Sequence, residues 1–261
     1  GAPADLSLRL AALKDPRAYG DNHPWPARRD ALERIRTEVK RLARLAPGDA
    51  GLSPAEMAAL AYPERVGLGR KGDAPGYLLS GGKGAVLDAA DPLAPTRLLV
   101  ATDLDGDPRE ARIRQALPIT ESALRALFAD QIHWRDTCDW SPRERRVVAR
   151  QRECLGALVL AERKWDAPPE DRARAALDGL RDLGLAQCGM GDAARRFQAR
   201  VELLRAQGAA LPDLSDDGIM ARAEDLLLPF LGKVRTVGDL RALDLTEALK
   251  NALSWEQQQT L

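Results

Sequence analysis

Residues 143–152, RERRVVARQR, hold the densest positive charge of the sequence. The arginines are Arg143, Arg145, Arg146, Arg150 and Arg152. Only Glu144 opposes them. Successive side chains of a β-strand point to opposite faces, so in a strand Arg146, Arg150 and Arg152 would share one face. A row of guanidinium groups neutralises the phosphates of a nucleic acid strand, and this stretch therefore predicts contact with a nucleic acid backbone.

Aromatic and carboxylate residues around this stretch support two interpretations. Trp134 and Arg135 lie just before it, and an indole ring can stack on a base beside the phosphate contacts. Asp136, Asp139 and Glu153 are also near, and they could pair with the arginines on an ordinary solvated face. The sequence leaves both interpretations open.

The stretch YLLSGGKGAVL, which begins at Tyr77, resembles a phosphate-binding loop at first sight. The P-loop pattern G-x-x-x-x-G-K-[ST] would need glycine at Tyr77 and a hydroxyl at Gly84, so it is excluded. Gly81, Gly82 and Gly84 instead favour a tight turn with Lys83 at its tip. Lys83 is then either a solvated turn residue or, with Tyr77, part of a nucleic-acid-binding face.

Composition excludes several classes of protein. The chain has 261 residues, a net charge of zero, three cysteines without a C-x-x-C pair and two histidines. A disulfide framework, a zinc site and a global basic field are therefore not expected. The sequence contains no catalytic motif, secretion signal or long apolar run. We expect a cytoplasmic protein that is not itself an enzyme and contains no metal site.

A basic amphipathic helix precedes the strand-rich region. Residues 28–45 carry seven basic and three acidic residues, and Leu32, Ile35, Val39 and Leu42 recur at helical spacing. The basic face is either solvated, as charged helix faces usually are, or a second nucleic acid contact.

The secondary structure predicted around these residues indicates an α+β fold. It consists of a helical N-terminal segment, a small OB-like Greek-key β-barrel and then an α-helical C-terminal domain. Short β-rich runs fill 64–161, with a hairpin-turn signal at Asp105-Gly106 and one helix at 121–129. We predict strands at 64–70, 76–80, 84–88, 97–102, 110–116, 132–138 and 146–161. We predict further helices near 169–183, 191–207, 216–231, 236–242, 245–252 and 254–261.

Several segments, in this order, carry a resemblance to a known family: LAYPERVG (60–67), GYLLSGGKGAVL (76–87), DPLA and LLVATDLDG (91–106), ARIRQALPI (111–119), LGALVLAER (155–163), PDLSD (212–216) and LSWEQQQ (253–259). Together they resemble the region downstream of the motor in bacterial DEAH-box helicases of the HrpB type. The two RecA-like motor lobes of that family, with their Walker A motif and DEAH box, have no counterpart in this sequence. We therefore expect the chain to be a piece of a longer protein.

The resemblance implies three domains and a role. Residues 1–62 would end the helicase-associated helical (ratchet-like) region, 63–166 would form the OB-fold domain, and 167–261 would begin the HrpB-type C-terminal domain. ATP and Mg²⁺ would bind in the motor lobes, and no cofactor is expected in this chain. The partners implied are single-stranded RNA or DNA and the motor lobes of the same polypeptide, with no membrane.

Two functions remain in competition. The first is an accessory nucleic-acid-binding and motor-closing module of an ATP-dependent RNA helicase. Its binding residues would be Tyr77, Lys83, Trp134, Arg135, Arg143, Arg145, Arg146, Arg150 and Arg152. The second is a protein-interaction or scaffold module, which is favoured by the acidic segment 215–261 and would be indicated by a large exposed apolar surface.

Overall fold

A computed structural model describes residues 2–46, 48, 51–72, 75–107 and 110–259 of the chain. Helices occur at both ends and a closed barrel lies between them in the sequence, which confirms the predicted α+β class. The chain divides into two compact units, residues 1–133 with 153–161, and residues 134–152 with 162–261. No helix of the described residues is long and apolar enough to cross a membrane.

The first unit begins with four helices and continues into the barrel. Its elements are α1 (Leu6–Lys14), α2 (Pro16–Asn22), α3 (Arg29–Leu45), α4 (Pro54–Ala61), β1 (Val66–Gly69), β2 (Gly76–Leu79), β3 (Gly84–Val86), β4 (Leu98–Leu104), β5 (Glu110–Pro118) and α5 (Glu121–Leu127). A capping box starts α4, in which the Ser53 amide donates to Glu56 Oε2 at 2.8 Å and the Glu56 amide donates to Ser53 Oγ at 3.3 Å.

The barrel has the strand order β1-β2-β3-β5-β4, and β1 pairs with β4 to close it. The β3–β5 pairing is parallel and the other pairings are antiparallel. This order fits a five-stranded barrel of the OB type. Alternate residues such as Tyr77, Leu99 and Ile113 fill the interior, and Asp105-Gly106 lies in the connection between β4 and β5 as predicted.

The strands after α5 are not part of this barrel, which corrects our expectation that the helix interrupts it. They are β6 (His133–Ser141), β7 (Arg146–Leu155) and β8 (Leu158–Lys164), and they form a separate three-stranded sheet in the order β6-β7-β8. The β1–β4 pairing has already closed the barrel, so no barrel edge remains for β6 to join. The domain boundaries at 62/63 and 166/167 stay predictions.

A turn at Gly156 divides the single strand that we predicted over 146–161. Gly156 has φ +56°, and a Cβ built there would lie 2.4 Å from the carbonyl oxygen of Ser80. The next residue, Ala157, donates its amide to that same oxygen at 2.9 Å. The β7–β8 turn thus lies against the Ser-Gly-Gly-Lys turn of the barrel, and its glycine is required by both φ and space.

The second unit is helical apart from its part of the sheet. Its helices are α6 (Pro169–Leu183), α7 (Asp192–Ala206), α8 (Asp216–Ala221), α9 (Ala223–Leu231), α10 (Val237–Arg241), α11 (Thr246–Asn251) and α12 (Trp255–Gln259). The predicted helix 216–231 is broken at Arg222, which ends α8 with φ −112°. Leu227 and Leu231 are fully buried in the core of this unit.

Trp140 of β6 packs on α6 at Gly179. The indole N–H donates to Asp182 Oδ2 at 3.2 Å, and a Cβ at Gly179 would lie 2.5 Å from Trp140 Cδ2. Only a residue without a side chain lets the sheet approach this helix so closely.

A partly buried ion network joins α5 to β7. The Arg125 guanidinium contacts Glu121 Oε1 and Glu153 Oε2, both at 2.8 Å, and Arg97 also pairs with Glu121. The hydrogen bonds from Arg125 are the main cause that lowers the pKa of both glutamates below 4.5.

We expect Gly179→Ala to destabilise the protein by about 1–3 kcal/mol, because the new methyl group overlaps the Trp140 ring. Urea unfolding followed by tryptophan fluorescence measures the effect. Gly20→Ala is the control, since Gly20 is also helical and a Cβ there meets nothing within 4 Å. Equal stability of the two variants would contradict the close packing.

We expect Arg125→Gln to cost about 1–2 kcal/mol at neutral pH. The glutamates have lowered pKa values, so their contribution is present above 4.5 and is lost as the pH falls through the folded-state values. The difference in melting temperature between wild type and variant should therefore shrink in acid. Arg41→Gln removes the exposed pair with Glu38 and should change stability far less than Arg125→Gln does, because solvent screens that pair. A pH-independent cost of Arg125→Gln would contradict this account.

Candidate nucleic-acid interface

The arginines of β7 lie in one row, as the sequence predicted. Arg150 Nε and Arg152 Nε contact Glu162 of β8 at 3.1 Å and 2.7 Å, so both point to the same side of the sheet. Arg146 Nη2 pairs with Glu144 at 2.6 Å. The row is thus held by carboxylates, in part as the solvated-face interpretation expected.

The carboxylates that hold the row are not the ones that we predicted. Glu153 is engaged by Arg125, and Asp136 accepts a hydrogen bond from Gln151 at 2.8 Å. The pairing partner across the sheet is instead Glu162. This leaves one carboxylate of β8 shared between two arginines.

Trp134 lies on the opposite side of the sheet from this row. The Arg163 guanidinium carbon stands 4.4 Å from the Trp134 ring centroid, and Arg163 Nε donates to Gln151 Oε1 at 2.8 Å. Gln151 alternates with Arg150 and Arg152 along β7, so its face is the other one. The structure therefore does not bring Trp134 together with the arginine row. Arg135 is exposed on β6.

The β6–β7 turn is fixed by backbone hydrogen bonds on both sides. Arg145 has φ +53°, and its carbonyl oxygen accepts a hydrogen bond from the Val237 amide at 3.0 Å. The Val147 amide donates to the Arg235 carbonyl oxygen at 2.8 Å. Arg143 is exposed in this turn. These bonds bring Arg235, which lies just before α10, beside the arginine row.

A pocket of about 380 Å³ opens where these segments meet. Its lining is Arg146, Val147, Val148, Ala149, Arg150, Lys164, Trp165, Arg172, Arg235 and Thr236. Five of these side chains are cationic, and they come from β7, the end of β8, α6 and the segment before α10. We call this site the basic pocket.

The Arg172 side chain is the most fixed of these cations. It is 13% exposed, and its guanidinium donates to the carbonyl oxygens of Gly232 at 3.2 Å and Ala167 at 2.5 Å. It also contacts Asp166 at 3.1 Å, while Arg235 contacts that same carboxylate at 3.7 Å. Among the described residues, no carboxylate pairs with Lys164.

Tyr77 does not present its ring to a strand. It is 1% exposed inside the barrel, and its hydroxyl lies within hydrogen-bond distance of the carbonyl oxygens of Leu93, Ala94 and Thr96. Burial raises the pKa of this hydroxyl. Tyr77 thus has a structural role in the barrel, because stacking on a base requires an open ring face.

Lys83 lies in the turn between β2 and β3, as predicted, and is half-buried. Of the three glycines around it, Gly82 has the positive φ, +91°. Gly84 has another role, since a Cβ there would lie 3.1 Å from Arg70 Nη2. The glycine-rich stretch therefore makes a turn and leaves room for a guanidinium group.

Sequence reasoning missed Lys164, Arg172 and Arg235. Each stands in a separate segment with ordinary charge density, and only the fold brings them to the arginine row. The one available signal was the adjacent pair Arg163 and Lys164, just after the strand predicted over 146–161.

We expect Arg145→Gly to leave stability unchanged or raise it by up to about 1 kcal/mol, because glycine adopts positive φ without a Cβ clash. Arg145→Val should lower stability by about 1–2 kcal/mol, because a β-branched side chain clashes with the backbone at positive φ. Urea unfolding of both variants measures the contrast. Equal free energies of unfolding for the two variants would contradict a left-handed conformation at residue 145.

Comparison with known proteins agrees with the sequence resemblance. The family described as the connector region of the ATP-dependent RNA helicase HrpB matches residues 131–165, which contain β6, β7 and β8. The ATP-dependent RNA helicase HrpB of Escherichia coli (strain K12) is 31% identical over 255 residues, covering 94% of this chain. This chain spans only 30% of the length of that relative.

Two solved structures match this chain over its whole length, and each match covers 31% of the solved chain. They are the E. coli DExH-box NTPase HrpB, with 28% identity and a TM-score of 0.46, and the Escherichia coli DEAH/RHA helicase HrpB, with 25% identity and a TM-score of 0.44. The resemblance inferred from the sequence is confirmed by the family match and the curated relative: this chain is similar to one part of an HrpB-type helicase and includes the segment that matches its connector region.

Proposed function

We propose that this chain is the accessory nucleic-acid-binding and motor-closing module of an ATP-dependent DEAH-box RNA helicase. The relative that it resembles is named an ATP-dependent RNA helicase, and the chain spans three tenths of that protein. ATP and Mg²⁺ would bind in RecA-like lobes of the same polypeptide, with which this chain would work. The observation that carries the proposal is the basic pocket beside the arginine row of β7.

The charge arrangement suits a phosphate backbone. Arg146, Arg150 and Arg152 lie in a row, and the carboxylates of Glu144 and Glu162, with which they pair, are near the surface. Surface ion pairs of this kind contribute little free energy, so exchanging a carboxylate for a phosphate costs little. Single-stranded RNA is the substrate that we propose, and Lys83, Arg135, Arg143 and Arg145 would add contacts outside the pocket.

We expect the 261-residue chain to bind single-stranded RNA with strong salt dependence. The logarithm of the binding constant should fall with the logarithm of salt concentration by about 0.7 per neutralised phosphate. The double variant Arg146→Glu/Arg150→Glu should abolish binding, because it reverses two charges of the row. Fluorescence anisotropy of labelled RNA and DNA across a salt series measures both effects.

Arg174→Glu/Arg181→Glu is the matched control, since it makes the same charge change on exposed arginines of α6 outside the basic pocket. It should leave binding unchanged. Equal loss in both double variants would mean that only net charge matters, and salt-independent binding would overturn the phosphate account.

A second function is favoured by one observation on α3. Most of its predicted apolar stripe is exposed: Ile35 is 44%, Val39 56% and Leu42 48% accessible, and only Leu32 is buried. Leu45, at the end of the helix, is 70% accessible. An unburied apolar helix face is a feature of interaction surfaces. The alternative is therefore a protein-interaction module that docks on the helicase core or another protein, and absence of RNA binding at low salt would favour it.

A further inference from the structure

We infer that the basic pocket is a binding site for a phosphomonoester on a single nucleotide, such as the phosphorylated end of an RNA strand. The binding of an RNA end rests on the proposed function, which this inference deepens. The pocket by itself also predicts binding of a free nucleoside monophosphate.

The cations of the pocket are pre-positioned. Arg172 is nearly buried and is held by two backbone carbonyl oxygens, so its guanidinium keeps one orientation without a ligand. Arg150 is 23% exposed and is held by Glu162. A site whose donors are already ordered loses little conformational entropy when an anion binds.

The pocket also has cationic capacity that its own carboxylates do not satisfy. Five cations line it, and the carboxylates that contact them are Glu144, Glu162 and Asp166 among the described residues. Lys164 has no described carboxylate partner. The Arg235 guanidinium has one ion pair among the described residues, with Asp166 at 3.7 Å, while the Arg235 backbone amide donates to Asp239 Oδ2 at 2.9 Å. The remaining positive charge suits an anionic ligand.

Asp166 indicates where that ligand binds. Its side chain is 87% exposed, yet Oδ1 lies near both Arg172 and Arg235, where it occupies the position of an external anion. A phosphomonoester carries about −1.5 to −2 at neutral pH and offers three acceptor oxygens, so it competes well with one carboxylate. A phosphodiester carries a single charge and gains less by displacing Asp166.

The size of the pocket and the aromatic residue in its wall favour a ligand larger than phosphate, namely a nucleotide. Its volume of about 380 Å³ lies in the range of small-molecule sites and exceeds the need of a bare phosphate. Trp165 lines the same cavity, and an indole is a surface on which a base can stack.

Calorimetric titration of the 261-residue chain with four ligands tests the inference. The ligands are adenosine monophosphate, adenosine, and one short RNA prepared with a 5′-phosphate or a 5′-hydroxyl. We expect adenosine monophosphate to bind at least about tenfold more tightly than adenosine, and the phosphorylated RNA to bind more tightly than its hydroxyl form.

Three variants identify the site. Lys164→Gln/Arg235→Gln removes two exposed cations and should abolish the preference for phosphate while the protein stays folded by circular dichroism. Asp166→Asn removes the competing carboxylate and should strengthen binding of adenosine monophosphate about tenfold. Asp178→Asn, which alters a carboxylate paired with Arg181 outside the pocket, should change nothing.

The outcomes separate this inference from the proposed function. RNA binding with no preference for the 5′-phosphate, no binding of adenosine monophosphate and no effect of Asp166→Asn would overturn the phosphomonoester site alone. Binding of adenosine monophosphate that the variants alter, without RNA binding, would support the site and overturn the proposed function. No binding of any ligand would overturn both.

Discussion

The close contact between Trp140 and Gly179 is the constraint on which the second unit depends. It holds β6 against α6, with the indole N–H on Asp182 to fix the ring. Because β7 pairs with β6, and Arg172 lies in the first turns of α6, this contact also fixes the distance between the arginine row and Arg172. A bulkier residue at 179 would move the helix from the sheet and open the basic pocket.

Collecting like charges in one place has a cost, and the chain offsets it locally. Each guanidinium of the pocket has either a carbonyl oxygen or a carboxylate within reach, so repulsion between the cations is reduced without a ligand. Those carboxylates are mostly exposed, and water can solvate them when an anion replaces them. The local carboxylates and carbonyl oxygens thus stabilise the cluster of cations, and exposed carboxylates are the groups that the proposed phosphate would displace.

The sequence was a good guide to local structure and a poorer guide to assembly. The turn at Asp105-Gly106, the strands of the barrel and the arginine alternation follow from local sequence patterns, and each could be predicted. The closure of the barrel before α5 depends on pairing between β1 and β4, which no local pattern encodes. The burial of Tyr77 has the same origin. Arg172 and Arg235 meet the row only through tertiary contacts, so their place in the pocket was invisible in the sequence.

The three-stranded sheet has two edges, β6 and β8, within the described part of the chain. Unpaired strand edges readily recruit a strand from another molecule, which is a route to aggregation. Both edges carry charge, with Arg135 and Asp136 on β6 and Arg163 and Lys164 on β8. Two copies that approached edge to edge would bring these charges into contact. The charges on these edges thus protect the sheet from pairing with itself, and one of them, Lys164, also lines the basic pocket.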